Sequence, residues 1–283
     1  PETYNILYTR RDARRDSVDP ITKIGVFDSG LGGLTVLNEI CRYTRGLELT
    51  YFGDIARVPY GSRTPETITR YARQDMRFLL SQGVQAVVIA CGTVSANCLP
   101  ILRETFALPM LGVIEPSVDD ALAQSRNKRI GVIGTKATID SRSYERAIRE
   151  KCPEAVVFSK ACPLFVPLVE NGFAPEDPIS VMTVERYLAA FRDTGVDTVI
   201  MGCTHYPFLV ETFRRQMPEV TFIHSGAALS RRLQRELPLG EGTGEDTVRY
   251  FFSDEDPGFL DTARNSLDCL HIDATRRICI DEY

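Results

Sequence analysis

No stretch of this 283-residue chain approaches the roughly 18 consecutive apolar residues a membrane-spanning helix needs. The N-terminus also lacks the apolar core of a secretory leader. A soluble protein of the cytosol, with no membrane partner, is therefore expected. Histidine is scarce, with three residues, and none stands at a metal-ligand spacing from a cysteine, so no metal site is expected. The eight cysteines include no Cys-x-x-Cys pair and no dense framework of close spacings. In a reducing compartment that leaves them as free thiols. A basic excess is missing too. The formal charge is −5, which speaks against a nucleic-acid partner. Arg10, Arg11, Arg14 and Arg15 form one local exception, in a polar stretch before the first apolar run. They read as a solvated tail, with a partner-binding arm as the alternative.

Hydrophobic residues make up 43% and charged residues 25%, the balance of an ordinary folded domain. The length allows one large domain or two of about 100 to 150 residues. An internal echo favours two. The segments Gly83–Cys91 and Gly195–Cys203 align without a gap, and each apolar run ends on a cysteine with a threonine within the next two positions. Upstream, Lys23–Ser29 resembles Arg129–Thr135 at nearly the same offset. The thiols of Cys91 and Cys203 therefore hold equivalent places in two related units. One site with two opposed thiols suits moving a proton from one face of a carbon to the other.

Short runs rich in Val and Ile read as interior strands of parallel sheets, because burial on both faces removes the in/out alternation. They are Ile24–Phe27, Leu49–Phe52, Ala86–Ala90, Met110–Val113, Ile130–Ile133, Ala155–Phe158, Thr198–Met201 and Val220–His224. Helical patterns lie between them, at Pro65 to Gly83, 141–151, 179–194 and after Ser225. The fold class is α/β, with ligands at the carboxyl ends of the strands, where both echoing cysteines lie.

A thiol with a reference pKa of about 8.5 drops toward neutrality at a helix N-terminus, where peptide dipoles favour the anion. Cys91 and Cys203, at strand ends that feed helices, are expected in that setting, one as base and the other as acid. Taken singly, either would be a structural cysteine; Cys41, Cys98, Cys152, Cys162, Cys269 and Cys279 keep that reading. His205 stands two positions past Cys203 and is better placed than His224 or His271 to assist a thiol. The glycine-rich segment Asp28–Thr35 fails the dinucleotide pattern, because Thr35 occupies the third glycine's place, and no Gly-Lys-Ser/Thr follows. Capture of a carboxylate by its backbone N–H and hydroxyl groups is expected instead. Of five lysines only Lys136 falls at a strand end, so pyridoxal phosphate is a poor fit and no cofactor is expected.

Segments running from about Ile24 to Phe252 carry a family resemblance: FDSGLGGLTV, YFGD, PYGSR, AC-T-SA, IGT-ATI, CPLFVPLVENG, GCTHYP and HSGAA. Together they are similar to the glutamate racemases, cofactor-independent enzymes that make D-glutamate for bacterial peptidoglycan. The resemblance implies that Cys91 acts on D-glutamate and Cys203 on L-glutamate. It also implies that Asp28 assists Cys91, and that Glu170 and His205 assist Cys203. Asp28, Ser29, Tyr60, Gly61, Gly92, Thr93, Thr135, Thr204 and His205 fall at substrate-contact positions. Two pseudo-symmetric lobes flanking a cleft are implied, spanning 21–115 with 225–283 and 116–224 after an N-terminal extension of 1–20. A homodimer is implied as well. One departure stands out: Gly92 occupies a place where the family usually has asparagine, so a substrate contact is expected to be lost or taken over by water or a neighbour. Aspartate racemase, or a related cysteine-dependent isomerase, is the alternative activity. A non-catalytic amino-acid sensor is the alternative class.

Overall fold

The structure is a computed structural model that describes residues 19–240, 242–255, 258, 260, 261, 264 and 267–283. The arginines at positions 10, 11, 14 and 15 lie outside the described residues. The chain runs β1 (Lys23–Asp28), α1 (Leu34–Tyr43), β2 (Glu48–Gly53), α2 (Pro65–Ser81), β3 (Ala86–Ile89), α3 (Gly92–Asn97), α4 (Leu99–Thr105), β4 (Met110–Gly112) and α5 (Ile114–Gln124). It continues through β5 (Arg129–Gly134), α6 (Lys136–Asp140), α7 (Ser143–Lys151), β6 (Val156–Ala161), α8 (Phe165–Glu170), α9 (Pro178–Leu188), β7 (Thr198–Met201), α10 (Val210–Gln216), β8 (Thr221–His224) and α11 (Ser225–Glu236). Strands β9 (Thr247–Phe252) and β10 (Thr275–Arg277) close the order. Among the described residues no helix is long and apolar enough to cross a membrane.

Two parallel sheets result, ordered β10-β9-β2-β1-β3-β4 and β6-β5-β7-β8. The four-strand pattern 2-1-3-4 of the first recurs as 6-5-7-8 in the second, which is the internal echo expressed as topology. The register repeats as well: Phe27 pairs with Ile89 in the first sheet and Ile133 with Met201 in the second. Both cysteines therefore leave their sheets two residues beyond matching pairs. The strands are buried along nearly their whole length at the centre, as continuous Val/Ile runs require.

Local chemistry explains the boundaries. Thr64 caps α2, its hydroxyl accepting from the Thr67 N–H, with Pro65 at the first turn where a missing N–H costs nothing. The strand expected from Ala155 starts one residue later, because the Ala155 N–H is still used in a turn to Cys152, and Val156 is the first to bond across to Lys128. The helix expected to reach 194 ends at Leu188 and tightens into a 3₁₀ turn. The left-handed backbone of Asp193, at φ 63°, cannot continue a helix.

The C-terminal strands join the first sheet, β9 pairing with β2 along its full length. Phe78 of α2, 1% exposed, fastens that junction. Its ring lies 5.1 Å from Phe52 of β2, 5.1 Å from Phe251 of β9 and 5.3 Å from Tyr283. Phe78→Ala is expected to lower unfolding free energy by about 3–5 kcal/mol, read as a lower urea midpoint at unchanged slope. A loss under about 1 kcal/mol would show that the site collapses and that this cluster is not what holds β9.

Candidate active site

Parallel strands leave their carboxyl ends open, and side chains just past those ends converge on a crevice. Asp28 and Ser29 lie at the end of β1, Cys91 after β3, Thr135 after β5, and Cys203, Thr204 and His205 after β7. These ends face each other across the two sheets. One cavity is lined by Ser29, Cys91, Thr93, Thr135, Cys203 and His205, with Tyr60, Gly61, Gly92 and Thr204 completing the wall. Both thiols are free and both open onto it. Val58, Pro59 and Val166 also line it; Pro59 and Val166 fall within the PYGSR and CPLFVPLVENG segments, and Val58 carried no signal. The enclosed volume is about 20 Å³, room for about one water molecule and far too little for an amino acid.

Asp28 and Glu170 stand one layer back. The Asp28 carboxylate accepts from the Gly30 N–H at 2.9 Å and from the Thr204 hydroxyl at 3.1 Å, which ties the end of β1 to the end of β7. Complete burial raises its pKa to about 6, against the lowering effects of the His205 charge and those two hydrogen bonds; Glu170 adds a smaller upward push.

Cys91 is the N-cap residue of α3, and its thiol donates to the Ser29 hydroxyl at 3.4 Å. The helix start was expected to draw its pKa toward neutrality. Instead burial, reinforced by the Asp28 charge, pushes it up to about 12, outweighing the Ser29 hydroxyl and the Val94 N–H. A six-residue helix does not offset the loss of water around a sulfur anion. Cys203 departs from expectation differently. It opens no α-helix; the chain turns at once into a 3₁₀ helix at Tyr206–Leu209. Its sulfur lies 3.7 Å from His205 Nδ1, and His205 Nε2 lies 3.1 Å from Glu170 Oε1. Burial lowers the His205 pKa, but its hydrogen bonds to Cys203 and Glu170 and their charges outweigh that and carry it to about 10. The imidazole therefore holds a positive charge through neutrality. His224 serves elsewhere, its Nδ1 accepting from the Gly226 and Ala227 N–H groups to cap α11.

Ser29 is the residue of Asp28–Thr35 that reaches the cavity. The Gly30 N–H is taken by Asp28, and the Thr35 hydroxyl by the carbonyls of Gly32 and Thr204. Tyr60 lines the same cavity. Its hydroxyl bonds Asp54 and, at 3.1 Å, Asp75, so the ring forms the wall while the polar tip points away. Arg57 bridges the same two carboxylates at 2.6 and 3.1 Å. Burial, then the neighbouring Asp54 charge, pushes Asp75 well above the usual carboxylate range. Asp54 was within reach of sequence reasoning as the last residue of YFGD; Arg57 and Asp75 carried no local signal.

Gly92 packs closely against the backbone of the facing turn. A Cβ there would overlap the Gly202 carbonyl oxygen, so no side chain fits while the cleft is closed. Gly61 repeats the situation, where a Cβ would lie 2.5 Å from the Thr135 Cβ. Thr93 and Thr135 meet across the same seam with their hydroxyls 3.0 Å apart, and Thr135 continues to Thr138 at 2.9 Å.

Known proteins share both the sequence and this architecture. Residues 24–233 match the family model for Asp/Glu/hydantoin racemases. The glutamate racemase of Persephonella marina is 45% identical, over 83% of this chain and 90% of its own. That of Aquifex aeolicus is 47% identical, over 82% and 89%. Among solved structures, the glutamate racemase of Francisella tularensis in complex with D-glutamate superimposes with a TM-score of 0.84 at 34% identity, covering 92% of this chain and 98% of that one. An aspartate racemase of Picrophilus torridus, at 16% identity and a TM-score of 0.59 over 76% and 93%, shares the fold alone. The chain belongs to the Asp/Glu/hydantoin racemase family.

Proposed function

We propose that this chain interconverts L- and D-glutamate by cofactor-independent proton transfer between Cys91 and Cys203. We assign it to the cytosol as a homodimer whose D-glutamate serves peptidoglycan, with lobes at 21–115 plus 225–283 and at 116–224. The observation that carries the reading is that two thiols from equivalent strand ends line one cavity, each backed by its own acid–base group.

In one direction a sulfur of Cys203 takes the α-proton of L-glutamate while the Cys91 thiol delivers its own proton to the opposite face. One C–H bond breaks, one forms, and each sulfur ends in the other's starting state. The surroundings suit these parts. A thiol held neutral by burial is a donor, and the His205 cation 3.7 Å from the second sulfur stabilises negative charge developing there. For the reverse direction Asp28, a carboxylate above about pH 6, lies beside Cys91 and is the group placed to receive the thiol's proton before Cys91 acts as base. The hydroxyls of Ser29, Thr93, Thr135 and Thr204 are the donors a substrate carboxylate would meet.

An amino acid enters only if the seam at Gly92 and Gly61 parts, because the closed cavity holds about one water molecule. Closure over substrate then excludes solvent, which strengthens each of these charge effects.

Cys91→Ala and Cys203→Ala are each expected to cut racemisation by about 10⁴-fold or more while leaving the fold intact. Incubation with glutamate in heavy water separates an enzyme from a binder. The wild type incorporates deuterium at the α-carbon, and a sensor would incorporate none. The two enantiomers have equal free energy, so kcat/KM must be equal in both directions, and asymmetry between the thiols will show in kcat and KM taken separately and in exchange without inversion.

The pH profile of kcat/KM is expected to rise through about 6 as Asp28 ionises and to fall toward about 10 as His205 loses its proton. Asp28→Asn is expected to abolish the acid limb; an unchanged limb near 6 would remove Asp28 from the relay. Gly92→Ala is expected to hold the cleft ajar, seen as faster modification of Cys91 and Cys203 by a thiol reagent without substrate. Equal reactivity in variant and wild type would mean that the seam does not govern access.

A further inference from the structure

Behind the cleft wall, two carboxylates face one guanidinium. Asp54 and Asp75 are 0% exposed, and Arg57, at 13%, is the cation that contacts both. Its Nε donates to Asp54 Oδ2 at 2.6 Å, its Nη2 to Asp75 Oδ1 at 3.1 Å and its Nη1 to Gln74 Oε1 at 2.6 Å. One guanidinium neutralises one carboxylate. A second negative charge in the same dry pocket would stand uncompensated, and protonation is the cheaper state for such a group. Asp28 and Cys98 also face Asp75, and neither brings positive charge.

Counting hydrogens leads to the same place. The Tyr60 oxygen lies within hydrogen-bonding distance of Asp54 Oδ2 and of Asp75 Oδ2, the latter at 3.1 Å. A phenol has one hydrogen and satisfies one of them. The other contact then sets lone pairs against each other unless a carboxyl supplies a proton of its own. On Asp54 that proton has no good place, since Oδ2 already faces Arg57 Nε and Oδ1 is buried with no partner among the described residues. On Asp75 Oδ2 it points at the Tyr60 oxygen, leaving Tyr60 to donate to Asp54. Each of these contacts then holds one hydrogen. Burial and the Asp54 charge, with a smaller push from Asp28, favour that form against the Arg57 charge and the Tyr60 contact.

We propose that Asp75 is a neutral carboxylic acid that donates to the Tyr60 hydroxyl and thereby positions the cleft wall formed by Val58, Pro59, Tyr60 and Gly61. Asp75 belongs to α2, whereas those four residues lie on the connection between β2 and α2. The proton is thus the tie between a rigid helix and the segment that closes over the cavity. Asp75 does not line the cavity itself and acts as a positioning residue. It works through the Tyr60 ring on the wall and, one residue on, through Gly61, which abuts Thr135 at the seam.

The proton is read directly by NMR on the whole chain labelled with heavy carbon. The Asp75 carboxyl carbon, assigned through its own Cβ, is expected to keep the chemical shift of a carboxylic acid from about pH 5 to about pH 8, well above an ordinary aspartate pKa of about 3.9. A carboxylate shift at Asp75 across that range, or the proton found on Asp54, would overturn the proposal. Asp75→Asn presents the same hydrogen bonds, its amide N–H donating to Tyr60 and its oxygen accepting from Arg57. It is expected to fold and to keep KM for glutamate within about twofold of wild type. Asp75→Leu keeps a similar volume but loses both bonds, and is expected to raise KM about tenfold with kcat changed less. An unfolded Asp75→Asn, or the same KM in the two variants, would overturn the positioning role. If Asp75→Leu does not fold, the carbon spectrum and Asp75→Asn still decide. The kinetic arm rests on the racemase reading, whereas the spectrum needs no turnover, so the two fail separately.

Discussion

The two cysteine-bearing turns share a cavity because nothing stands between the backbone at Gly92 and the carbonyl of Gly202. A single added carbon would force the two sheets apart at the point where their strand ends meet. This steric vacancy sets the volume of the cavity and hence the amount of water in it. It thereby sets the effective dielectric in which Asp28, Cys91 and His205 act. In a space that admits about one water molecule, burial sets the direction of the Asp28 and Cys91 shifts, while at His205 the hydrogen bonds and charges of Cys203 and Glu170 outweigh it.

Duplication explains the placement of the sulfurs but not their surroundings. The strand order and register repeat between the sheets, yet one thiol faces a buried carboxylate and the other a histidine cation. A proton crossing a carbon needs such inequality at any instant, one sulfur ready to receive and the other to give. Asp28 joins the two halves, since it raises Cys91 while accepting from Thr204 next door to Cys203. The relay groups are therefore coupled across the seam and do not form two independent dyads.

Much of this could be read from the chain because it is written in period and repetition. The Val/Ile runs gave eight strands close to their observed places, and the gapless alignment of Gly83–Cys91 with Gly195–Cys203 gave the paired thiols. Features that depend on distances between remote segments could not be read that way. Gly92 reads in sequence as a lost side chain, and the structure adds a close approach between backbones 110 residues apart (202 − 92). The Asp54–Arg57–Asp75 cluster behind Tyr60 draws on a loop and a helix, and no spacing announces it. The depressed thiol expected at Cys91 failed because a helix start is visible in sequence while the depth of burial is not. Strand β9 has apolar residues crowded at its end, Tyr250–Phe252, without the long run that marked the others.

The resolved shifts at Asp28, Cys91 and His205 all point upward, so the folded site holds protons more tightly than the unfolded chain does. For such groups the stabilising contribution is complete below the unfolded pKa and is lost as pH rises through the folded one. Asp28 loses its share between about 3.8 and 6, which at 1.36 kcal/mol per unit is on the order of 3 kcal/mol of native stability forgone at neutral pH. His205 loses its share between about 6.5 and 10, and Cys91 between 9.0 and about 12. Neutral pH thus falls where Asp28 is already ionised at a cost while the other two keep their protons. The same desolvation raises both groups, and the Asp28 charge raises Cys91 further, so the thiol remains much the stronger base and keeps its proton. Stability given up at Asp28 thus goes with a Cys91 thiol that holds its proton ready as a donor.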